Sequence, residues 1–102
     1  MLTVIESALF SRLWPEYWSP EEYGDFILHL ALDPEAGDVI AGSGGCRKIR
    51  WSRPGMGKRG GVRVIYALKP KAGTVMLLTL YSKSARDSLS AGVLKRLLEM
   101  MK

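Results

Sequence analysis

The second half of the chain contains three strand-like segments that follow one another with only turns between them. Apolar and cationic residues alternate over residues 46–52, and residues 62–69 and 74–81 are rich in Val, Ile, Leu and Tyr. Both patterns are typical of β-strands. The connections at residues 53–61 and 70–73 contain glycine and proline. Because consecutive strands with short connections pair with their chain neighbours, this stretch predicts an antiparallel β-meander.

Amphipathic helices are predicted on both sides of the meander. Ser19 can cap a helix that has Pro20 at its first position and Glu22 in place to complete a capping box. Apolar residues then recur every three or four positions and stop before Asp33-Pro34, so one helix face should lie on the sheet. Ser90 similarly precedes a C-terminal helix with its own apolar stripe. The stripe of the earlier helix consists of Tyr23, Phe26, Ile27, Leu30 and Ala31.

Shorter segments complete the predicted order of elements. Residues 2–5 are typical of a strand, and residues 7–14 of a short helix. Residues 39–41 form another strand candidate, followed by a Gly-Ser-Gly-Gly turn at residues 42–45. The predicted order is therefore one strand, two helices, four strands and one helix. A chain of 102 residues fits one domain, residues 1–102.

Positive charge is concentrated in one block of the sequence. Residues 46–63 carry seven cations and no acid. Residues 1–45 hold one cation against eight acids, a net charge of −7, and residues 64–102 hold seven cations against two acids, a net of +5. Within the block, Lys48 and Arg50 of the predicted strand at 46–52 line one strand face, and Ile49 and Trp51 the other. This charge distribution directs a strong field at one place and predicts a surface that binds a polyanion.

The remaining composition excludes several classes of protein. The N-terminal segment lacks a basic region and reaches Glu6 before any long apolar run, so we expect neither a secretory signal nor a membrane span, and a cytoplasmic protein. Cys46 is the only cysteine and His29 the only histidine. A disulfide within the chain and a conventional Cys/His zinc site are therefore excluded, and we expect no metal and no cofactor. Both residues are interpreted as structural.

Three separated motifs together resemble bacterial toxins of the RelE/HigB superfamily, especially its HigB-like branch. They are GDVIAGSGGCRKIRW at residues 37–51, GKRGGVRVIYAL at 57–68 and LLTLYSKSARDSLS at 77–90. The resemblance implies an α+β fold, a RelE-like single domain in which an antiparallel β-sheet packs with two N-terminal helices and one C-terminal helix. It also implies cleavage of mRNA at the ribosome and inhibition by a cognate antitoxin protein.

The resemblance points to particular cations. In the RelE pattern, a strand of the first motif carries two active-site cations, which Lys48 and Arg50 match. An arginine inside the next strand is matched by Arg63. The sequence departs from the pattern near its end, where Ser90 or a neighbour replaces a tyrosine and Lys83-Ser84 replaces a Lys-Arg pair. The proton donor and the proton acceptor therefore stay unassigned.

The chemistry of RNA cleavage gives these residues candidate roles. RNA is cut without a metal when its 2′-hydroxyl attacks the adjacent phosphate, which requires a proton acceptor, cations and a proton donor. With no pair of histidines, proton transfer falls to Lys, Tyr or Arg. We predict Lys48 as base or phosphate clamp, and Arg50 and Arg63 as transition-state stabilisers. Lys83 is predicted as clamp or acid, and Tyr81 as base or as a platform for base stacking.

A second group of cations is predicted to bind RNA or the ribosome without taking part in the chemistry. A large partner that holds the RNA in reactive geometry could supply much of the rate, which agrees with ribosome dependence. Cations outside the catalytic group would contact the phosphates of that partner. These residues are Arg47, Arg53, Lys58 and Arg59.

The sequence is compatible with two functions. The first is a ribosome-dependent endoribonuclease toxin, and the second is a basic RNA- or ribosome-binding module without catalytic activity. Both need the basic surface, but only the first needs particular residues within it. A further alternative concerns Trp14, Tyr17 and Trp18, which either pack in the core or anchor an antitoxin.

Overall fold

A computed structural model describes residues 2–51, 61–69, 73–82 and 89–102 of the chain. Within these residues the order of elements is the predicted one: a strand, two α-helices, four strands and an α-helix. A short 3₁₀ turn, Trp14–Glu16, separates the first two helices. None of these helices combines the length and apolarity that crossing a membrane requires. The elements are β1 Thr3–Glu6, α1 Ala8–Leu13, α2 Pro20–Leu32, β2 Asp38–Val39, β3 Cys46–Trp51, β4 Val62–Lys69, β5 Thr74–Ser82 and α3 Ala91–Met100.

The five strands form one sheet in the order β1-β5-β4-β3-β2. The pairs β2–β3, β3–β4 and β4–β5 are antiparallel, which confirms the predicted meander. Strand β1 adds a parallel neighbour to β5 at the sheet edge. The sequence did not predict the partner of β1. Short connections indicate pairing only between consecutive strands, and two helices separate β1 from the next strand.

Strand β2 is shorter than predicted and begins one residue earlier. It covers Asp38–Val39, whereas the sequence pattern indicates 39–41. After β2, the N–H of Ile40 donates to the Cys46 carbonyl at 2.8 Å, and the chain then turns. The turn is closed by Ser43, whose buried hydroxyl oxygen accepts from the Cys46 N–H at 3.0 Å. This tight closure leaves room for only two paired residues in β2.

Helices α1 and α2 pack on one face of the sheet. The Ser19 capping box is confirmed: its N–H donates to the Glu22 carboxylate at 2.8 Å, and its hydroxyl oxygen accepts from the Glu22 N–H at 3.1 Å. Phe26 and Leu30 are fully buried in the core beneath α2. Ala31 is exposed, contrary to the predicted stripe. Ala31 lies at the edge of the apolar face of α2, so its side chain faces solvent rather than the sheet.

Helix α3 packs on the opposite face and covers only part of it. Leu94 and Leu98 are buried against a second core that includes Cys46, Ile65 and Met76. Cys46 is fully buried, as predicted, and burial raises the pKa of its thiol. Since α3 lies over the end of β3 that begins with Cys46, the rest of that strand face stays accessible.

The aromatic residues before α2 belong to the first core. Trp18 is buried, and the ring of Trp14 stacks on that of Tyr23 with centroids 4.4 Å apart. Tyr17 is half-buried and packs against the same core. Of the two predicted alternatives for these residues, core packing is therefore confirmed.

The half-buried Tyr23 and the fully buried Tyr66 make stability sensitive to alkaline pH. The hydroxyl of Tyr23 donates to the Glu6 carboxylate, and that of Tyr66 donates to the Pro34 carbonyl at 2.9 Å. Burial is the main cause that raises the pKa of both phenols, and the Glu6 carboxylate adds to the rise at Tyr23. Because the folded-state pKa lies above the unfolded value, both tyrosines favour folding while they are protonated, below about pH 10.

We therefore expect the free energy of unfolding to fall as pH rises above about 10, by up to about 1.4 kcal/mol per pH unit for each tyrosine. Tyr23→Phe should be less stable than wild type near neutral pH but lose less stability on going to alkaline pH. Urea unfolding at about pH 9 and about pH 11 measures both effects. An unchanged pH dependence in Tyr23→Phe would show that this phenol does not contribute to it.

Candidate nucleic-acid interface

The accessible part of the α3-side sheet face holds a cleft of about 430 Å³. Its lining comes from three neighbouring strands, β2, β3 and β4. Three of the lining side chains are cations and one is a carboxylate. We call it the basic cleft; it is lined by Asp38, Lys48, Arg50 and Arg63.

Strand register explains why these side chains meet. Lys48 and Arg50 are two residues apart on β3 and therefore point to the same face. Asp38 on β2 lies directly opposite Lys48. Arg63 on β4 lies between Arg50 on β3 and Tyr81 on β5. Four of the five predicted catalytic residues thus share one sheet face, in adjacent strand positions.

The two arginines of the basic cleft are in an unfavourable arrangement. Arg50 and Arg63 are like charges placed directly opposite each other, which destabilises a strand pair. The Nη1 atom of Arg63 is also buried, and it has no hydrogen-bond partner in the described part of the chain. Leaving a buried donor unpaired costs about 1–3 kcal/mol. An anionic oxygen bound here would relieve both penalties, since a guanidinium binds phosphate through paired hydrogen bonds.

Tyr81 lies beside Arg63 at the end of β5 and is half-buried. Burial raises the pKa of its phenol, and the positive charge of Arg63 offsets only part of that rise. The phenol therefore keeps its proton at neutral pH. In this state Tyr81 can donate a proton or hydrogen bond to an anionic oxygen, whereas it cannot serve as a base.

Arg47 lies on the other face of the sheet from the basic cleft. Its Nη1 donates to the carbonyl of Glu35 at 3.2 Å and to that of Gly37 at 2.8 Å. Because side chains alternate along β3, a residue next to Lys48 in sequence points away from it. Arg47 thus ties the connection between α2 and β2 to the sheet, and we leave it out of the predicted RNA contacts.

His29 lies on the same side of the sheet as Arg47. Its ring is 4.8 Å from that of Trp51, on the face that α2 covers. This position agrees with the structural interpretation of the only histidine. It also leaves the basic cleft without an imidazole, so proton transfer there falls to other groups.

The other predicted site residues lie outside the described residues and stay predictions. The one cleft residue that the sequence did not indicate is Asp38. It belongs to the acidic N-terminal part of the sequence, and only the pairing of β2 with β3 brings it beside Lys48. If β2 and β3 pair as a hairpin around the Gly-Ser-Gly-Gly turn at residues 42–45, counting back from the turn places Asp38 opposite Lys48. This is the sequence signal that could have indicated Asp38. The predicted residues outside the described ranges are Arg53, Lys58, Arg59 and Lys83.

Comparison with solved structures identifies the fold. The Escherichia coli RelE toxin in the free state, as an arginine-to-alanine mutant, superposes with a TM-score of 0.63, covering 98% of this chain and 97% of that one at 15% identity. The chain has the RelE fold. The isolated E. coli RelE toxin gives a TM-score of 0.59 at 18% identity, covering 93% of this chain and 97% of that chain.

A third similar structure is the intact E. coli RelBE toxin–antitoxin complex. One chain in it matches with a TM-score of 0.60 at 18% identity, covering 82% of this chain and 98% of that chain. No family model matches the sequence. At this level of identity the likeness to RelE establishes the α+β fold, and what the protein does has to be argued from the basic cleft.

Proposed function

We propose that the protein is a toxin of a type II toxin–antitoxin system that cuts mRNA on the ribosome. The observation that carries the proposal is the buried, unpartnered Nη1 of Arg63 in a cleft shared with Lys48 and Arg50. The RelE fold adds support, and the three sequence motifs favour the HigB-like branch. Residues 1–102 would form one toxin domain that acts in the cytoplasm, without a metal or cofactor.

The basic cleft suits a phosphodiester that becomes more negative during reaction. Attack by the 2′-hydroxyl converts the phosphate into a phosphorane with additional charge, which fixed donors stabilise more strongly than the ground state. Arg50 and Arg63 face each other across β3 and β4, so both guanidiniums can bind the same phosphate. Lys48 adds a third positive charge next to them. We assign these three residues to binding the phosphate.

The leaving 5′-oxygen needs a proton donor. Tyr81 fits this role because its raised pKa keeps the phenol protonated and because it lies beside Arg63. Lys83, two residues further along the chain, is proposed as a phosphate clamp or as a second acid. The proposal therefore replaces the predicted base role of Tyr81 with that of an acid.

Two partners are proposed besides the mRNA. The ribosome would hold the RNA in the geometry that in-line attack requires, and Arg53, Lys58 and Arg59 would contact its phosphates. A cognate antitoxin protein would neutralise the toxin. E. coli RelE is found in a toxin–antitoxin complex, and we extend that arrangement to this chain.

Expression of the chain without an antitoxin tests the proposed function. We expect growth to stop and new mRNA ends to appear inside translated regions, while the same RNA without ribosomes is cut weakly. Mapping of 5′ ends before and after induction measures this. Growth arrest without new ends would instead support the binding module that lacks catalytic activity.

A further inference from the structure

We infer that Asp38 is a catalytic residue of the basic cleft and takes the proton from the attacking 2′-hydroxyl. The inference rests on the proposed function and adds the residue that starts the reaction. The Asp38 carboxylate is unexpected among the cations of the cleft. A site that binds phosphate gains nothing from a carboxylate, whose charge repels the substrate.

In the cleft lining and at Tyr81 beside it, four side chains can donate hydrogen bonds and the fifth, Asp38, is a carboxylate. Ammonium and guanidinium groups carry only hydrogen-bond donors, so Lys48, Arg50 and Arg63 are suited to binding phosphate oxygens. The phenol of Tyr81 keeps its own proton at neutral pH. An ionised carboxylate only accepts. Among these side chains, Asp38 is therefore the one suited to receive a proton.

The position of Asp38 fits the geometry of in-line displacement. It lies on β2, whereas the phenol proposed as the acid lies on β5, with the cations of β3 and β4 between them. Three strand spacings separate β2 from β5, and Asp38 lies two residues along from the row that contains Tyr81, so the two backbones are about 16 Å apart. Acceptor and donor thus flank the phosphate-binding cations, as attack on one side of phosphorus and departure on the other side require.

The backbone before Asp38 is held in place from both sides. The N–H of Gly37 donates to the Tyr66 hydroxyl at 2.8 Å, and the Gly37 carbonyl accepts from Arg47 at 2.8 Å. A Cβ at position 37 would lie 2.8 Å from the Tyr66 ring and 3.0 Å from the Lys48 carbonyl oxygen. Only glycine therefore lets the backbone before Asp38 approach Tyr66 and β3 this closely. Fixing a reactive group through such supporting contacts is typical of catalytic sites.

The reaction transfers two protons and exchanges one bond to phosphorus for another. The Asp38 carboxylate takes the 2′-hydroxyl proton while the 2′-oxygen forms a bond to phosphorus. The bond from phosphorus to the 5′-oxygen breaks, its electron pair leaves with that oxygen, and the oxygen takes the phenolic proton of Tyr81. The products are a 2′,3′-cyclic phosphate and a 5′-hydroxyl. Exchange with water then returns the carboxyl proton to solvent and reprotonates the phenolate.

The alternative role for Asp38 is structural. Opposite charges directly across a strand pair stabilise it by roughly 0.2–1 kcal/mol, so Asp38 could serve only to pair with Lys48 in the hairpin. The two roles predict opposite effects of removing the charge. A purely structural carboxylate hinders phosphate binding, so its removal should leave cleavage unchanged or increase it. A proton acceptor is required, so its removal should abolish most cleavage.

The test compares purified wild type, Asp38→Asn and Glu16→Gln in a translating extract. Both substitutions remove one negative charge, but Glu16 is exposed in the 3₁₀ turn on the helix side of the sheet. We expect Asp38→Asn to bind ribosomes at least as tightly as wild type and to cleave about a hundredfold more slowly, as loss of a general base predicts. Glu16→Gln should cleave like wild type. Asp38→Glu keeps the carboxylate and should recover part of the rate.

Three results would overturn the inference. Wild-type cleavage by a folded Asp38→Asn would show that the carboxylate takes no part in the chemistry. Loss of ribosome binding together with cleavage, in Asp38→Asn and in Asp38→Glu, would show that Asp38 maintains the binding surface and is not the proton acceptor. Absence of cleavage by wild type itself would refute the proposed function and this inference with it, whereas either of the first two results leaves the proposed function standing.

Discussion

Arg63→Ala is expected to lower the rate of mRNA cleavage by a factor on the order of a hundred to a thousand. Removing one donor to a developing oxyanion typically costs about 2.7 to 4 kcal/mol of transition-state stabilisation. Arg63 lies between two residues of the candidate site on the neighbouring strands, Arg50 on β3 and Tyr81 on β5. Initial rates of fragment formation in a translating extract measure the effect.

The stability of Arg63→Ala distinguishes a functional arginine from a structural one. Its Nη1 is buried without a hydrogen-bond partner among the described residues, and the like charge of Arg50 lies opposite. The free energy of unfolding should therefore stay the same or increase. Arg96→Ala is the matched control, because it removes one positive charge from an exposed position on α3. A folded Arg63→Ala protein that cleaves as fast as Arg96→Ala would remove Arg63 from the site.

Phe26→Ala is expected to lower the free energy of unfolding by about 3–5 kcal/mol, the usual range for truncating a buried aromatic residue. Phe26 is fully buried. Its ring lies 5.1 Å from the ring of Trp18 and 5.7 Å from that of Trp51, so it joins α2 to the strand that carries Lys48 and Arg50. The cavity left by alanine would loosen the support beneath β3.

Leu28→Ala on the same helix serves as the control for Phe26→Ala. Leu28 is 61% exposed, and alanine is an excellent helix former, so its truncation should change stability by less than about 0.5 kcal/mol. Urea unfolding of the two variants compares a buried and an exposed position in one helix. Equal losses would mean that α2 does not pack through Phe26.

The fold follows from local patterns more readily than the site does. The capping box at Ser19 and the alternation along β3 involve residues close together in the sequence, and both are confirmed. The parallel pairing of β1 with β5 joins residues about seventy positions apart, and no local pattern indicates it. Ala31 shows the limit of periodicity, which locates the centre of a buried helix face better than its edge.

In the candidate site, too, features set within one strand could be predicted, whereas features set by the pairing of strands could not. Alternation along β3 indicates that Lys48 and Arg50 share one face and that Arg47 points to the other. Charge alone would have assigned all three residues to the same basic surface. The pairing of Arg63 with Arg50 depends on the register between β3 and β4. Asp38 could not be predicted from charge, because its role in the basic cleft depends on a two-residue strand whose pairing is set by the turn after it.

The chemical identity of the ends produced by cleavage shows whether the RNA is cut by attack of its own 2′-hydroxyl. Purified protein is added to a translating extract that contains either an all-ribose mRNA or the same mRNA with one 2′-deoxynucleotide immediately before the cut. We expect a 2′,3′-cyclic phosphate and a 5′-hydroxyl from the first RNA and no cut at that position in the second, because the attacking hydroxyl is missing. A 5′-phosphate, or equal cutting of both RNAs, would contradict 2′-hydroxyl attack in the basic cleft.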